Sequence, residues 1–178
     1  MKNKKALFIG RFQPFHEGHL YAVRYILRHY GYLVIAIGSS QEDYTSKNPL
    51  TEKERIEMLE KVFRQIGLPK KNYKIVSIPD INTNSIWPAY VAKKVGRFDI
   101  IVTASPFTKL LFEDAKYPVD FHPLLKRKFY SGTEIRNRIL RNKSWDMLVP
   151  ASVFVYLQKL DLKNRLQKII ETDNPYLK

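Results

Sequence analysis

His16 and His19 stand three residues apart across Gly18, a short way behind Arg11, in the stretch Gly10-Arg11-Phe12-Gln13-Pro14-Phe15-His16-Glu17-Gly18-His19. An unperturbed imidazole changes charge between pH 5 and 8 and can donate or accept a hydrogen bond. A guanidinium is a permanent cation whose fork matches phosphate oxygens. A second such group comes much later, in Tyr130-Ser131-Gly132-Thr133-Glu134-Ile135-Arg136, with two hydroxyls and another arginine. Apolar residues at helical spacing follow both stretches, so each puts its polar groups at a helix beginning. Free N–H groups and the positive end of the helix dipole attract anions there. The chemistry these residues suit is phosphate handling: binding, and stabilising charge that builds during group transfer. The expectation is that the two helix beginnings face a common cleft and bind phosphate there.

The elements that must hold these groups follow from apolar periodicity. Residues 6–9 predict a buried strand, and Gly10 a sharp turn where a ligand can come close. Pro14 excludes helix from the loop. Leu20, Val23, Ile26, Leu27 and Tyr30 keep a helical rhythm, so His16 and His19 fall at or near its start. Residues 32–38 form a continuous apolar run, as in a buried parallel strand. The run ends at Gly38-Ser39-Ser40-Gln41, small residues that would admit a ligand at the strand's carboxyl end. Residues 42–50 are polar, with Lys47 and Pro49, and predict a loop: either a cover over a site or an ordinary connection. Thr51-Glu52-Lys53-Glu54 reads as a capping box. The scaffold helix it opens would bury Ile56, Leu59, Val62, Phe63 and Ile66 and end at Gly67 and Pro69.

Residues 73–79 predict a third strand, followed by the amide-rich turn 80–88. Asn84 in that turn can both give and accept hydrogen bonds, as a carboxamide ligand requires. Trp87 offers a flat face to a ring, a cationic one included; it could equally fill the core. A short helix over 88–94, a strand over 98–105 and a helix opened by Pro106 follow. Residues 117–121 suit an edge strand. Lys126-Arg127-Lys128 suits solvated surface. Ser131 and Thr133 are N-cap types ahead of the stripe Ile135, Ile139 and Leu140, with Arg136 about one turn in. Taken alone, that segment could be a capped helix with a surface arginine. A turn at 142–144 and helices from 150 and over 162–170 complete the chain as structural elements.

At 178 residues, 44% hydrophobic and 27% charged, the sequence reads as one globular domain over 1–178, with a core of about 5–160 and a helical tail over 161–178. Without cysteine, disulfides and thiolate metal sites are excluded. The apolar run behind the basic residues 1–5 stops at Gly10, too short for a signal peptide, and nothing approaches a membrane span. A cytoplasmic location is expected. The net charge of +14 suits anionic ligands or nucleic acid, or else solubility and surface ion-pair networks.

Following a first strand, His16-x-Gly18-His19 resembles the hallmark of the nucleotidyltransferase superfamily related to class I aminoacyl-tRNA synthetases. The longer form from Gly10 to His19 resembles the archaeal-type nicotinamide-nucleotide adenylyltransferase family. Ser131-x-Thr133-x-x-Arg136 resembles the motif that closes the ATP site in these enzymes. The likeness runs from about residue 5 to residue 160, in the family's motif order. It implies an α/β fold: a Rossmann-like, doubly wound parallel sheet of five or six strands with helices on both faces and C-terminal helices. It implies transfer of AMP from ATP to nicotinamide mononucleotide, giving NAD+ and pyrophosphate by in-line attack of the acceptor phosphate. His19, His16, Arg136 and Lys47 would be catalytic. ATP would be bound by Gly10, Arg11, Phe12, His16, Gly18, His19, Ser131, Thr133 and Arg136, and the nicotinamide nucleotide by Ser39, Asn84 and Trp87. Mg2+ would arrive with ATP rather than sit in a protein cage. Homo-oligomers, hexamers among them, are implied, with neither nucleic acid nor membrane as partner. The family commonly has Arg at the position of Lys47. It usually has Gly followed by Asn or Asp where this chain has Thr103-Ala104-Ser105-Pro106, which leaves backbone contacts to adenosine.

Three other readings share these residues. A sibling enzyme would use another phosphorylated acceptor, such as phosphopantetheine or glycerol phosphate. A nucleic-acid-binding module would exploit the charge, but no RNP-like aromatic motif, helix-turn-helix pattern or zinc site accompanies it. An inactive nucleotide sensor would keep the fold without turnover.

Overall fold

The computed structural model describes residues 4–122 and 129–173. In chain order its elements are β1 (Lys4–Gly10), α1 (Glu17–His29), β2 (Gly31–Gly38), α2 (Glu52–Gln65), β3 (Tyr73–Ile78), α3 (Trp87–Val95), β4 (Ile100–Thr103), α4 (Pro106–Asp114), β5 (Val119–Phe121), α5 (Gly132–Leu140), α6 (Ala151–Lys159) and α7 (Leu162–Asp173). Contacts gather the chain into two compact units. One comprises Met1–Arg11, Tyr21–Ser40 and Leu68–Leu125; the other comprises Phe12–Leu20, Gln41–Gly67 and Lys126–Lys178.

The first unit holds the sheet. Its order is β3-β2-β1-β4-β5 and every pair is parallel. This is the expected Rossmann-like α/β architecture, with five strands among the described residues. The inner strands β1, β2 and β4 are largely buried, so they read as near-continuous apolar runs rather than alternations. Leu7, Val34, Ala36 and Ile101 pack with Val91 and Val95 of α3 and Phe112 of α4. Leu33, Ile35 and Ile37, whose side chains alternate to the opposite face, are fully buried too. Strand order reverses on either side of β1, the type of position at which open α/β sheets bind ligands beyond the carboxyl ends. β1 ends at Gly10, where the first motif begins. Tyr25 and Tyr30 both donate from their hydroxyls to Asp120 of β5, at 2.8 and 2.7 Å, which ties α1 and its exit to the sheet edge.

The second unit is helical: α2, α5, α6 and α7, with the first turn of α1 and the loop before it. The capping box of α2 forms as expected. Glu54 N–H donates to Thr51 Oγ1, and Thr51 N–H to the Glu54 carboxylate. Gly67, at φ +66, ends that segment. The buried stripe differs from expectation at its edges. Ile56 and Ile66 are half-buried, while Met58 and the charged Arg55 are fully buried. Arg55 is accommodated because its guanidinium donates to the carbonyls of Thr51 and Glu42. Leu140 is likewise half-buried, and Arg136 takes the buried position on α5.

Element ends also differ. The fourth strand is only Ile100–Thr103, because Phe98 leaves the ladder to stack on Tyr117 and Ser105 turns the chain into α4 as its N-cap. β5 is Val119–Phe121 and pairs with β4 alone, an edge strand as expected. Trp87, not Pro88, is the first residue of α3. The basic cluster 126–128 lies outside the described residues. Among the described residues no helix is long and apolar enough to cross a membrane.

Candidate active site

The second unit contains Phe12, His16, Gly18, His19, Lys47, Ser131, Thr133 and Arg136. The chain enters this unit through Phe12, whose φ is +51, and passes a cis Gln13–Pro14 bond. His16 occupies the cap of α1: its carbonyl accepts from His19 N–H at 2.9 Å and Leu20 N–H at 3.0 Å. The two imidazoles stack at 3.5 Å between centroids, tilted by 17°. Each also caps the other. His19 N–H points at His16 Nδ1, and His16 N–H at His19 Nδ1, both at 3.3 Å. A neutral imidazole whose Nδ1 accepts carries its proton on Nε2. Both rings therefore present an Nε2–H donor.

Their charge departs from the sequence expectation of rings poised between neutral and cationic. Burial lowers the His16 pKa to about 3. Burial, and then the neighbouring His16, push His19 well below its usual value. His16 is deeply buried. His19 keeps a partly exposed edge, yet Phe12 packs on it at 4.9 Å and Phe15 at 5.3 Å, so the direction is the same. At pH 7 both are neutral hydrogen-bond donors.

The second motif packs against the first. Ser131 caps α5, its Oγ accepting from Glu134 N–H at 3.2 Å. Arg136 is 8% exposed, not a surface arginine. Its Nη1 donates to the Gln13 carbonyl at 2.6 Å and its Nη2 to Thr133 Oγ1 at 3.4 Å. Two glycines permit this approach. A methyl on Gly132 would lie 2.6 Å from the Gln13 carbonyl oxygen and 3.0 Å from Arg136 Nη1. One on Gly18 would lie 3.1 Å from both His16 Nδ1 and Tyr130 Cβ.

Gln13 is the residue that sequence reasoning missed. Its carbonyl holds Arg136, and its buried side chain pairs with the backbone of Leu50. Oε1 accepts from Leu50 N–H at 2.9 Å, and Nε2 donates to the Leu50 carbonyl at 2.8 Å. Gln13 thereby ties the end of the 42–50 loop to the first motif. The loop turns on Thr45 and Asn48, whose backbones exchange hydrogen bonds at 3.2 and 3.1 Å. Residues 48–50 are buried, and Lys47 is exposed just ahead of them.

The first unit contains Gly10, Arg11, Ser39, Asn84 and Trp87. Gly10 remains in the ladder, paired with Ile37, so the sharp turn expected there falls at Phe12 instead. Arg11 is exposed. Ser39 follows β2 at φ +48. Gly38 has 3.8 Å of room toward Ile9, so nothing in the protein itself forces a glycine. Asn84 opens a short 3-10 turn, with an exposed side chain and its carbonyl accepting from Trp87 N–H. Trp87 is half-buried and meets Phe112 edge-on at 5.4 Å and 88°, so it does pack on the core. At the end of β4, Thr103 Oγ1 accepts from Ser105 N–H and Ser105 Oγ from Thr108 N–H; both hydroxyls act as local caps.

No carboxylate among the described residues is fully buried. Nor do three imidazole or carboxylate groups converge, among the described residues, where a metal could be held. The donors gathered around the motifs suit phosphate oxygens.

The sequence profile of the cytidylyltransferase-like family matches residues 7–138. The chain is 41% identical over 169 residues to a nicotinamide-nucleotide adenylyltransferase of Thermococcus sibiricus, spanning 95% of this chain and 90% of that one. To the enzyme of the same name from Saccharolobus solfataricus it is 37% identical over 169 residues, spanning 95% and 98%. Its fold matches a solved bifunctional NMN adenylyltransferase/ADP ribose pyrophosphatase from Francisella tularensis, complexed with AMP and a manganese ion, at TM-score 0.76 and 23% identity. That alignment takes in 99% of this chain but 54% of the other, so the chain spans about half the length of that protein. With relatives of that name matched over most of their length and the family profile over residues 7–138, the chain belongs to the nicotinamide-nucleotide adenylyltransferase family.

Proposed function

We propose that the protein transfers the AMP moiety of ATP to nicotinamide mononucleotide, forming NAD+ and releasing pyrophosphate. An oxygen of the acceptor's phosphate attacks the α-phosphorus. A new P–O bond forms as the bond to the β-phosphate bridging oxygen breaks, and the electron pair leaves with pyrophosphate. The acceptor phosphate has a second pKa of about 6, so it is largely ionised at pH 7 and needs no strong base. Catalysis is then positioning plus stabilisation of charge on the phosphates.

The observation that carries this reading is the packing of the two motifs within one unit, through Arg136 on Gln13 and Gly18 beside Tyr130. His19, with its proton on Nε2, donates to the α-phosphate as negative charge grows there, and His16 assists on the phosphate chain. A neutral donor held by reciprocal hydrogen bonds needs no change of protonation during the step. Arg136, the α5 N-terminus, Ser131 and Thr133 hold the β- and γ-phosphates. Arg11 and Lys47 add charge, and Gly10, Phe12 and Gly18 let the loop lie close to ATP. Lys47 gives charge without the bidentate fork of an arginine. Asn84, Trp87 and Ser39 hold the nicotinamide nucleotide. A divalent ion carried by ATP, Mg2+ in this reading, would draw charge off the phosphates. The whole of 1–178 acts as one nucleotidyltransferase domain, in the cytoplasm, as a homo-oligomer.

The test is direct. Purified protein with ATP, Mg2+ and nicotinamide mononucleotide is expected to form NAD+. Turnover with phosphopantetheine or glycerol phosphate, and none with the pyridine nucleotide, would overturn the reading.

A further inference from the structure

We propose that Arg165, on the C-terminal helix α7, is a positioning residue that sets the shape of the 42–50 loop and, through it, the place of Lys47. This rests on the reading of Lys47 as a phosphate ligand. Arg165 grips the loop region at three points. Its guanidinium meets Glu54 end-on, donating from Nη1 to Oε2 at 2.6 Å and from Nη2 to Oε1 at 2.7 Å. Nη1 also donates to the Pro49 carbonyl at 3.2 Å. The same group lies 5.0 Å over the ring of Tyr44. Tyr44 stands near the start of the loop and Pro49 near its end, with Lys47 between them. Both partners of the ion pair are 16% exposed, so water competes weakly for the fork.

Glu54 makes the clamp rigid. Its Oε2 also accepts from Thr51 N–H at 2.9 Å, so the carboxylate that receives Arg165 is the one that caps α2. Burial pushes the Glu54 pKa up. The hydrogen bonds and charge of Arg165 and the Thr51 N–H outweigh it, and the carboxyl titrates below its ordinary value. One residue beyond Pro49, Leu50 pairs with Gln13, whose carbonyl holds Arg136. The loop is thus fixed from two sides, by the motif at Leu50 and by α7 at Tyr44 and Pro49. A lysine cannot replace this arginine in full, because one ammonium cannot span both carboxylate oxygens, a carbonyl and a ring face. The helix that sequence reasoning read as structural carries a part of the site's geometry.

The experiment compares wild type, Arg165→Ala, Arg165→Lys and the same-helix control Lys168→Ala. Amide hydrogen exchange is followed over 42–50, over α7 and over the sheet, together with KM for ATP and kcat. In Arg165→Ala, exchange over 42–50 should quicken while α7 and the strands keep their protection. KM for ATP should rise about tenfold, more than kcat falls, as expected when a binding group loses its place. Added guanidinium ion should reverse part of both effects, Arg165→Lys should fall between, and Lys168→Ala should match wild type. Unchanged loop exchange in folded Arg165→Ala would overturn the proposal. So would loosening spread evenly over α7 and α2, or a loosened loop with unaltered KM for ATP. Exchange is read without substrate, so a failed clamp is distinguishable from a mistaken choice of acceptor.

Discussion

The region proposed to handle phosphate and the region proposed to hold the pyridine ring are built in opposite ways. Gln13, His16 and Arg136 are buried, and each is bonded to another residue of the same site. Each imidazole caps its partner's backbone, Arg136 is held by Gln13, and Gln13 by Leu50. At Asn84 the side chain is exposed on a short 3-10 turn, and Trp87 borrows its support from Phe112. The contrast suits the work proposed for each. Stabilising charge in a transition state requires donors fixed before the reaction begins. Recognising a ring needs shape and a few hydrogen bonds, which an exposed turn can supply as the ligand binds.

The largest effect should therefore come from the rigid region. His19→Ala should lower kcat by about 100-fold or more, the scale for loss of a preorganised donor, with an unchanged circular dichroism spectrum. Near-normal turnover in the folded variant would remove His19 from the chemistry. Gly132→Ala should come next. Its methyl meets the Gln13 carbonyl at 2.6 Å, a backbone atom that cannot swing aside. Thermal unfolding should show a loss of about 1–3 kcal/mol, the scale for overpacking, along with reduced turnover. Full stability there would mean that the motifs do not touch as described.

The exposed turn should respond differently. Asn84→Ala should raise KM for nicotinamide mononucleotide by about tenfold with little change in kcat, as expected when uniform binding is lost. A collapse of kcat instead would erase the contrast between the regions. The last effect concerns pH. Turnover should fall below about pH 6, where the acceptor phosphate takes up a proton, and His19→Ala should leave that midpoint in place. Stability should respond to His16. Its folded pKa, lowered to about 3, lies below the unfolded value of 6.5. Its contribution is full above about pH 6.5 and declines as pH falls toward about 3, because the unfolded chain takes up the proton first. His16→Gln should flatten denaturation midpoints over that window; an unaltered slope would contradict the burial.

Local signals were legible and distant ones were not. The capping box at Thr51 and Glu54, the Ser131 cap and the helical stripe after His19 depend on neighbours within a turn, and sequence spacing reveals them. The place of Gln13 depends on Leu50, 37 positions away, and on Arg136, 123 positions away. No periodicity encodes that. Arg136 looked as though it could be a surface residue because its partner is a backbone carbonyl, which has no sequence signature. Arg55 was invisible for the same reason: its partners are the carbonyls of Thr51 and Glu42. The fourth strand read too long because Phe98, apolar enough for a strand, spends its ring on Tyr117 instead.

The central claim is that the beginnings of α1 and α5 together hold one triphosphate. A crystal structure with a non-hydrolysable ATP analogue tests it most directly. The account predicts an α-phosphate oxygen about 3 Å from His19 Nε2, with the outer phosphates on the α5 N-terminus beside Ser131, Thr133 and Arg136. A triphosphate that reached one helix beginning and left the other untouched would contradict it.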